Sequence, residues 1–299
     1  MSPEWSEALL ALGETGSVTV AAERCHLSQP AFTRRLQRLA ATVGAPILRR
    51  QGRRVTFTAA GEALLALARR QGVDWVQTVE AIHGRPAPLE LGCGATIALT
   101  LLPRALLCLR ERDRTWTVRI HAGDSAVTVS RLLAGEIDAG LVTTPSADRR
   151  LGSIPLLRDP VVAVAACTEN AIPANLAELA RRPLCLYGRG TGFRSFVDAL
   201  FATAGWFPDP VAEVDSLEAL RELAAAGLGF ALLPHSVAAS AIAAGRLRLV
   251  DIPELHDAAR TVTLLHRADK PQHPAFAPLQ GALEAAALSL AQRLAASDG

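Results

Sequence analysis

The 299-residue sequence lacks the features of membrane-inserted and exported proteins. No run approaches the roughly 18 uninterrupted apolar residues that a membrane-spanning helix needs. The first dozen residues include Glu4 and Glu7, and they lack the basic-then-apolar layout of a secretory signal. We therefore expect a cytoplasmic protein with no membrane partner.

Cysteine is scarce and scattered, and lysine occurs once, at Lys270. The cysteines form neither a CxxC pair nor a Cys/His cluster with metal-ligand spacing; they are Cys25, Cys93, Cys108, Cys167 and Cys185. This pattern is typical of small buried residues in a reducing compartment, and a redox-sensing pair is the alternative. We expect no metal and no cofactor.

Acidic residues are absent between Arg24 and Thr58, where eight arginines give a charge of +8. Residues 1–23 total −4 and residues 59–299 total −2, so the charge is strongly segregated. A segregated basic patch predicts a polyanionic partner, and a merely solvated basic face is the alternative. The helical pattern beneath the charge favours the first interpretation.

Three short helices are predicted in the first 44 residues. Trp5 and the leucines that follow it form the first, and Ser17 caps the second, Val18–Cys25. Ser28 caps the third, which carries a proline in its first turn and ends at Gly44. Spacings of 4, 3 and 4 place one apolar stripe on this third helix, made of Phe32, Leu36, Leu39 and Val43.

The other side of the third helix is polar, which is typical of a helix that reads the major groove of DNA. Its candidate DNA-binding residues are Ser28, Gln29, Pro30, Thr33, Arg34, Gln37 and Arg38. Ile47 to Thr58 then predicts a β-hairpin wing with a Gly-containing turn. Its arginines suit DNA phosphates or the minor groove, and we select Arg50, Arg53 and Arg54 as contacts.

These residues resemble the LysR-type transcription regulators. The resemblance rests on Gly16-Ser17-Val18-Thr19-Val20-Ala21-Ala22, on Leu27-Ser28-Gln29-Pro30-Ala31-Phe32-Thr33-Arg34, and on Leu39, Gly44, Arg50 and Thr58-Ala59-Ala60-Gly61. Ala40 replaces the usual glutamate and Leu48 the usual phenylalanine of the wing, and both changes leave the reading face alone. The resemblance implies a ligand-responsive regulator whose partners are double-stranded promoter DNA, a small-molecule effector and RNA polymerase.

A long helix is predicted from the Thr58 cap to about His83. Spacings of 3 and 4 along it form an a/d seam of nearly three heptads, consisting of Leu65, Ala68, Gly72, Trp75, Val79 and Ile82. Such a seam favours pairing with a second helix, and burial against the same chain is the alternative. The resemblance implies a dimerising linker helix, within a homodimer or homotetramer. Residues 84–88 (Gly-Arg-Pro-Ala-Pro) then predict a hinge.

After the hinge, strands and helices alternate in two βαβαβ units, which predicts parallel sheets covered by helices. Val161–Ala166 and Val262–His266 suit two crossings between the units, and a C-terminal helix, Ala275–Ala296, returns to the first. The fold class is thus an N-terminal all-α winged helix-turn-helix with a linker helix, and a C-terminal α/β two-lobed regulatory domain that resembles periplasmic binding proteins. We expect domains at 1–58, 59–88 and 89–299, with lobe I at about 89–160 and 267–299 and lobe II at about 161–266.

Ligands in open α/β sheets bind beyond the carboxyl ends of strands, beside helix N-termini. This rule selects an inter-lobe effector site formed by Gly94, Ala95, Thr96, Asp124, Ser125, Thr143, Thr144, Thr191, Gly192 and Phe193. Helix caps and turns are the alternative role for each position. The hydroxyls, the helix N-termini and nearby Arg189 and Arg194 favour a small anionic effector, such as a carboxylate.

Two other functions fit less well. A two-lobed solute-binding protein is disfavoured because it has no use for the basic helical segment and because the sequence lacks the layout of a secretory signal. An enzyme is disfavoured because the seven histidines are scattered and no catalytic site is predicted. Gly188-Arg189-Gly190-Thr191-Gly192 is glycine-rich but lacks the spacing of a phosphate-binding loop.

Overall fold

The computed structural model describes residues 1–51, 54–83, 86–112, 114–144 and 146–297. The chain forms two compact units, one of Met1–Pro88 with Leu133–Ile137 and one of Leu89–Leu132 with Asp138–Gly299. Within the described ranges, no helix is both long enough and apolar enough to cross a membrane.

Three helices build the N-terminal unit: α1 (Pro3–Thr15), α2 (Val18–Arg24) and α3 (Gln29–Val43). α1 ends at Gly16, whose positive φ of 63° suits glycine, and Ser17 Oγ accepts from the Val20 N–H in α2. Ser28 Oγ accepts from the Ala31 N–H in α3. The three helices enclose one apolar core. The predicted helices and caps are confirmed.

The apolar stripe of α3 is one residue shorter than predicted. Phe32, Leu36 and Leu39 are buried in the core, but Val43 is 44% exposed. Val43 lies in the last turn, directly before the Gly44 cap, where the chain leaves the helix. Its assignment to the core stripe is therefore wrong.

The wing is a hairpin of β1 (Leu48–Gln51) and β2 (Arg54–Phe57), paired antiparallel, and α4 (Ala59–Ile82) follows it. Thr58 joins the wing to α4, because its hydroxyl donates to the Pro46 carbonyl at 2.6 Å and accepts from the Gly61 N–H at 3.1 Å. Gly61 is packed so closely that a Cβ there would overlap the Ile47 carbonyl oxygen. The wing and the start of α4 therefore form one closely packed piece.

The predicted seam on α4 divides into two halves. Leu65 and Ala68 are 3% and 1% exposed, because they pack in the core that includes α1. Trp75 and Ile82 are 70% and 75% exposed. The assignment of Leu65 and Ala68 to a dimer seam is therefore wrong, because both side chains are buried against their own chain.

The C-terminal unit consists of alternating strands and helices. In chain order these are β3 (Leu89–Cys93), α5 (Ala95–Thr100), α6 (Leu102–Arg112), β4 (Val118–Ala122), α7 (Ser125–Ala134), β5 (Ala139–Val142), β6 (Leu151–Ala166), α8 (Leu176–Leu179), β7 (Leu184–Tyr187), α9 (Gly192–Thr203), β8 (Ala212–Val214), α10 (Leu217–Ala225), β9 (Phe230–Pro234), α11 (His235–Ala243), β10 (Leu247–Val250), a 3₁₀ turn (Pro253–Leu255), β11 (Ala259–Arg267) and α12 (Phe276–Ser297). Both predicted βαβαβ units are present, whereas α8, α11, β10 and the first half of β6 were not predicted.

One long strand connects two lobes. The sheet order is β4-β3-β5-β11-β6-β9-β7-β8, with β10 also paired to β6. The first part of β6 pairs with β11 as far as Pro160, and the part from Val161 onward pairs with β9 and β10. β6 and β11 are therefore the two crossings, with Asp159 and Arg260 directly opposite each other where the pairing changes.

Each lobe has its own apolar core. The first-lobe core takes in α6 and α12, and the second-lobe core is built on β6, β7, β9 and the helices around them. The C-terminal helix thus returns to the first lobe, as predicted. Val262 and Leu264 also pack in the first-lobe core, although they were expected within the second lobe. Their strand re-enters the first lobe soon after Arg260.

We expect Gly61→Ala to destabilise the N-terminal unit. In an open helix this change stabilises by about 1 kcal/mol, but here the new methyl group meets a fixed carbonyl, and such overpacking costs about 1–3 kcal/mol. Urea unfolding followed by circular dichroism measures the change. Ala63→Gly, on an exposed position of the same helix, is the matched control and reports helix propensity alone. An unchanged or higher stability of Gly61→Ala would contradict the close contact.

The thiols should differ widely in reactivity. Cys93 is fully buried, and burial raises its pKa to about 11, whereas Cys167 is exposed. Because the thiolate is the nucleophile, iodoacetamide at pH 8 should modify Cys167 first and Cys93 only after unfolding. Mass spectrometry of peptides from native and denatured protein gives both rates. Cys167→Ser should remove the fast reaction, and equal native rates at the two sites would contradict the burial.

Candidate functional site

The predicted reading face of α3 is open to solvent. Gln29, Arg34, Gln37 and Arg38 are exposed, as are Ser28 and Pro30 at the start of the helix, and Thr33 is partly exposed. The face lies opposite the buried stripe, so α3 can enter a groove without disturbing the core. The structure therefore brings all seven candidate residues of the helix to one accessible end and side.

Neighbouring arginines on α3 have different surroundings. Arg35, whose side chain is 16% exposed, donates to the Glu4 carbonyl at 3.4 Å and lies 3.7 and 3.8 Å from the carboxylates of Glu4 and Glu7. Arg24 pairs with Glu14 at 2.6 Å. Part of the +8 charge is thus matched by acidic residues of α1, whereas Arg34 extends into solvent.

The wing is described only in part. Arg50 and Arg54 occupy the paired strands β1 and β2, and Arg53 lies outside the described residues. Arg49 donates to the Thr56 hydroxyl across the hairpin at 3.3 Å. Of the predicted wing contacts, Arg50 and Arg54 are therefore located by strand position alone.

A cavity of about 700 Å³ lies between the two lobes of the C-terminal unit. All ten residues selected by the strand-end rule line it: Gly94, Ala95, Thr96, Asp124, Ser125, Thr143, Thr144, Thr191, Gly192 and Phe193. Its volume falls within the range of about 300–1,000 Å³ typical of small-molecule sites. The structure therefore gathers the predicted residues into one cleft.

On the first-lobe side, hydroxyl and carboxylate groups hold the strand ends. Ser125 Oγ accepts from the Thr143 and Thr144 N–H groups at 3.1 and 3.3 Å, which ties α7 to the segment after β5. Asp124 accepts from the Val127 N–H at 2.8 Å and so caps α7 with its own negative charge. At Asp124 the structure therefore has the helix cap that was the alternative role for this position.

On the second-lobe side, the start of α9 approaches the first lobe closely. Thr191 Oγ1 caps α9 by accepting from the Arg194 N–H at 3.2 Å. A Cβ on Gly192 would lie 3.2 Å from Thr144 Oγ1 of the other lobe. A side chain at this position would make a tight contact with the opposite wall of the cleft, and Thr144 would have to shift by a few tenths of an ångström.

Arg189 and Arg194 do not serve the cleft, and their predicted role near an anionic effector is wrong. Arg194 is buried and pairs with Asp198 at 2.7 Å and with Glu213 at 2.8 Å. Arg189 pairs with Glu213 at 3.1 Å. The Arg194 guanidinium, followed by that of Arg189, lowers the pKa of the Glu213 carboxyl. Arg194 therefore links α9 to β7 and β8, whereas Arg189 makes only an exposed surface ion pair.

The cation of the cleft is Arg260, which sequence reasoning missed. Its guanidinium lies 5.1 Å over the Phe193 ring and donates to the Thr143 hydroxyl, so it contacts both lobes. Burial lowers its pKa, and the charge of Asp159 partly opposes that effect. The predicted crossing, Val262–His266, begins two residues after Arg260, and the strand-end rule selects no residue of a crossing strand. In the structure β11 extends from Ala259, and Arg260 and Val262 of this strand both line the cleft.

Asp159, opposite Arg260, has its own partners. Its carboxylate accepts from the Ser236 N–H at 3.0 Å and from the Ser236 hydroxyl at 2.6 Å. Burial raises the pKa of this carboxyl, although the bonds from Ser236 oppose the shift. Asp159 therefore fixes the start of α11 to the crossing strand. Among the described residues, no group of three or more histidine, cysteine or acidic side chains is arranged to hold a metal ion.

Both units match family models. Residues 4–62 match the bacterial regulatory helix-turn-helix protein, lysR family, and residues 83–287 match the LysR substrate binding domain. The chain is 31% identical over 269 residues to an uncharacterized HTH-type transcriptional regulator of Mycobacterium bovis, covering 84% of this chain and 86% of the relative. It is 28% identical over 291 residues to the hydrogen peroxide-inducible genes activator of Escherichia coli O6:H1, covering 93% of each.

A solved structure has the same organisation over nearly the whole chain. Full-length CbnR complexed with its target DNA matches with a TM-score of 0.69 and 26% identity, covering 96% of this chain and all of that one. The exposed basic helix, the wing and the two-lobed cleft thus occur together with matches to both family models. The chain belongs to the LysR family of DNA-binding transcription regulators.

Proposed function

We propose that α3 reads a promoter sequence through its exposed face and that a small anionic effector in the inter-lobe cleft controls this binding. The observation that carries the proposal is the pairing of an open arginine- and glutamine-bearing helix with a built cleft on the same chain. CbnR, which matches along its whole length, has been solved with target DNA. Turnover of a substrate has no part in this proposal, because the family consists of regulators.

The proposed division of labour follows the sequence. Residues 1–58 bind DNA, residues 59–88 form the linker helix and hinge, and residues 89–299 bind the effector. Ligand closure of the lobes would change the spacing of paired DNA-binding heads. A bias of a few kcal/mol on an existing two-state equilibrium suffices to switch such an assembly.

Peroxide sensing is not transferred from the Escherichia coli relative. No cysteine occurs among the cleft-lining residues that the structure describes. Cys93, which ends β3 next to Gly94, is fully buried with a raised pKa, which disfavours the reactive thiolate. We therefore propose non-covalent binding of the effector.

Arg34→Ala should lose sequence discrimination, because removing a base contact costs about 1–3 kcal/mol for the specific site only. The measurement compares affinities for a duplex selected by the wild-type chain from a random pool and for its scrambled version. Arg35→Ala is the matched control, since Arg35 faces α1 and should leave the affinity ratio unchanged. Gln29→Ala should behave like Arg34→Ala. An unchanged ratio in Arg34→Ala would refute its role in base reading.

Arg53→Ala should weaken binding to both duplexes equally. A phosphate contact carries no sequence information, and losing one reduces the salt slope by about 0.9. Titrations between low and moderate salt give that slope. A loss confined to the selected duplex would instead assign Arg53 to base reading.

We also propose that the exposed half of the α4 seam joins two copies of the chain. Gly72, Trp75, Val79 and Ile82 recur on one side of α4, and the two largest are mostly exposed. A groove of about 590 Å³ between α1 and α4 is bordered by Gly72 and Trp75 and offers space for partner side chains. Apolar side chains exposed at heptad spacing favour helix pairing.

Trp75→Ala should weaken self-association, because large aromatic side chains dominate such contacts. We expect the dimer dissociation constant to rise at least about 30-fold, measured by analytical ultracentrifugation. Phe207→Ala removes another large aromatic side chain, which is 84% exposed elsewhere on the chain, and it should leave the constant unchanged. Equal effects of the two changes would contradict the proposed interface.

A further inference from the structure

Positive and negative side chains lining the cleft differ in number and in their hydrogen-bond partners. Among the lining residues that the structure describes, Arg260 is the one cation, and the carboxylates are those of Asp124 and Asp159. Both carboxylates already accept hydrogen bonds from helix starts, at α7 and α11. The cleft therefore offers one positive group and, elsewhere on its wall, negative potential.

The charge of Arg260 is incompletely matched within the chain. A guanidinium carries five N–H donors, and its hydrogen bond here goes to the Thr143 hydroxyl. No carboxylate of the described residues lies within ion-pair distance of it, since Asp159 is directed to Ser236. Arg260 lines the cavity, and a carboxylate bound there would offset the burial that lowers the Arg260 pKa.

Apolar side chains on both lobes line another part of the wall and suit an apolar body. Ile97, Leu101, Leu141, Leu157 and Val262 line the first-lobe side, and the ring of Phe193 faces them from the second lobe. A second carboxylate on the ligand would find hydroxyl groups such as that of Thr96, but the described lining residues offer it no second cation. Burying an unpaired charge in that way is costly.

We propose that Arg260 is the specificity-determining anchor of the cleft and that it selects a monocarboxylate with an apolar body. The inference rests on the proposed function, in which the cleft takes an effector, and it goes further by naming the group that recognises the anion. The planar guanidinium suits a carboxylate because two parallel N–H donors meet its two oxygens. Its position between Thr143 and Phe193 would bring the bound anion to the junction of both lobes.

The test uses three matched sets of probes on the full chain at pH 7. The monocarboxylates are acetate, butyrate, hexanoate and benzoate, the neutral set is the corresponding amides, and the diacids are succinate, adipate and terephthalate. Thermal shift and calorimetry should show binding by at least one of the larger monocarboxylates, since ligands of the folded state raise the unfolding temperature. Its amide and diacid counterparts should bind at least about 10-fold more weakly.

Variants test the anchor itself. Arg260→Gln should lower the affinity for the bound monocarboxylate about 30-fold or more, because a charge-assisted hydrogen bond is lost. Arg189→Gln, on the same lobe but outside the cavity, should retain it. Arg260→Lys keeps the charge and loses the fork, so it should bind more weakly but still prefer the acid to the amide. It also provides the test if the glutamine variant fails to fold.

Several outcomes would overturn the inference. These are tighter binding of a diacid, equal binding of the amide, unchanged affinity in Arg260→Gln, or no binding by any monocarboxylate. A neutral or doubly charged ligand that still alters affinity for the selected duplex would leave the proposed function intact while removing Arg260 as anchor. If the wild-type chain bound the selected duplex and its scrambled version equally well, the proposed function itself would be refuted.

Discussion

The antiparallel pairing of β6 with β11 is the constraint on which the C-terminal unit depends. β6 is 16 residues long and runs through the part of the sheet that belongs to each lobe, so each lobe completes its core on a strand that the other lobe also uses. The pairing ends at Pro160 and Ala259, and the lobes diverge from there. The cleft is therefore a consequence of one strand changing its partners.

The same junction explains why the cleft contains buried polar groups. Asp159 and Arg260 are paired near the end of the ladder, where the crossing strands pass from one lobe to the other. Asp159 is directed to the start of α11, and Arg260 to Thr143 and the Phe193 ring. Because Asp159 is bonded to Ser236, the positive charge of Arg260 is available to a ligand in the cavity. The cost is that the Arg260 guanidinium is partly removed from water.

Much of this arrangement could be predicted from the sequence. Ser17, Ser28 and Gly44 marked helix ends because capping chemistry is local, and the strand-end rule found ten lining residues because parallel strands end at one edge. Arg260 could not be found in this way, since its role depends on which strands cross between lobes. Val43 and Leu65 were misassigned because heptad spacing identifies an apolar stripe without identifying what covers it.

The contact of Gly61 with the Ile47 carbonyl has a mechanical consequence. With no side chain between them, and with Thr58 bonded to both Pro46 and Gly61, the wing has little freedom to pivot about α4. A turn of α4 about its axis would then carry the paired strands of the wing with it. Rotation of the linker helix would in this way be transmitted to the wing, and the close packing at Gly61 makes that coupling rigid.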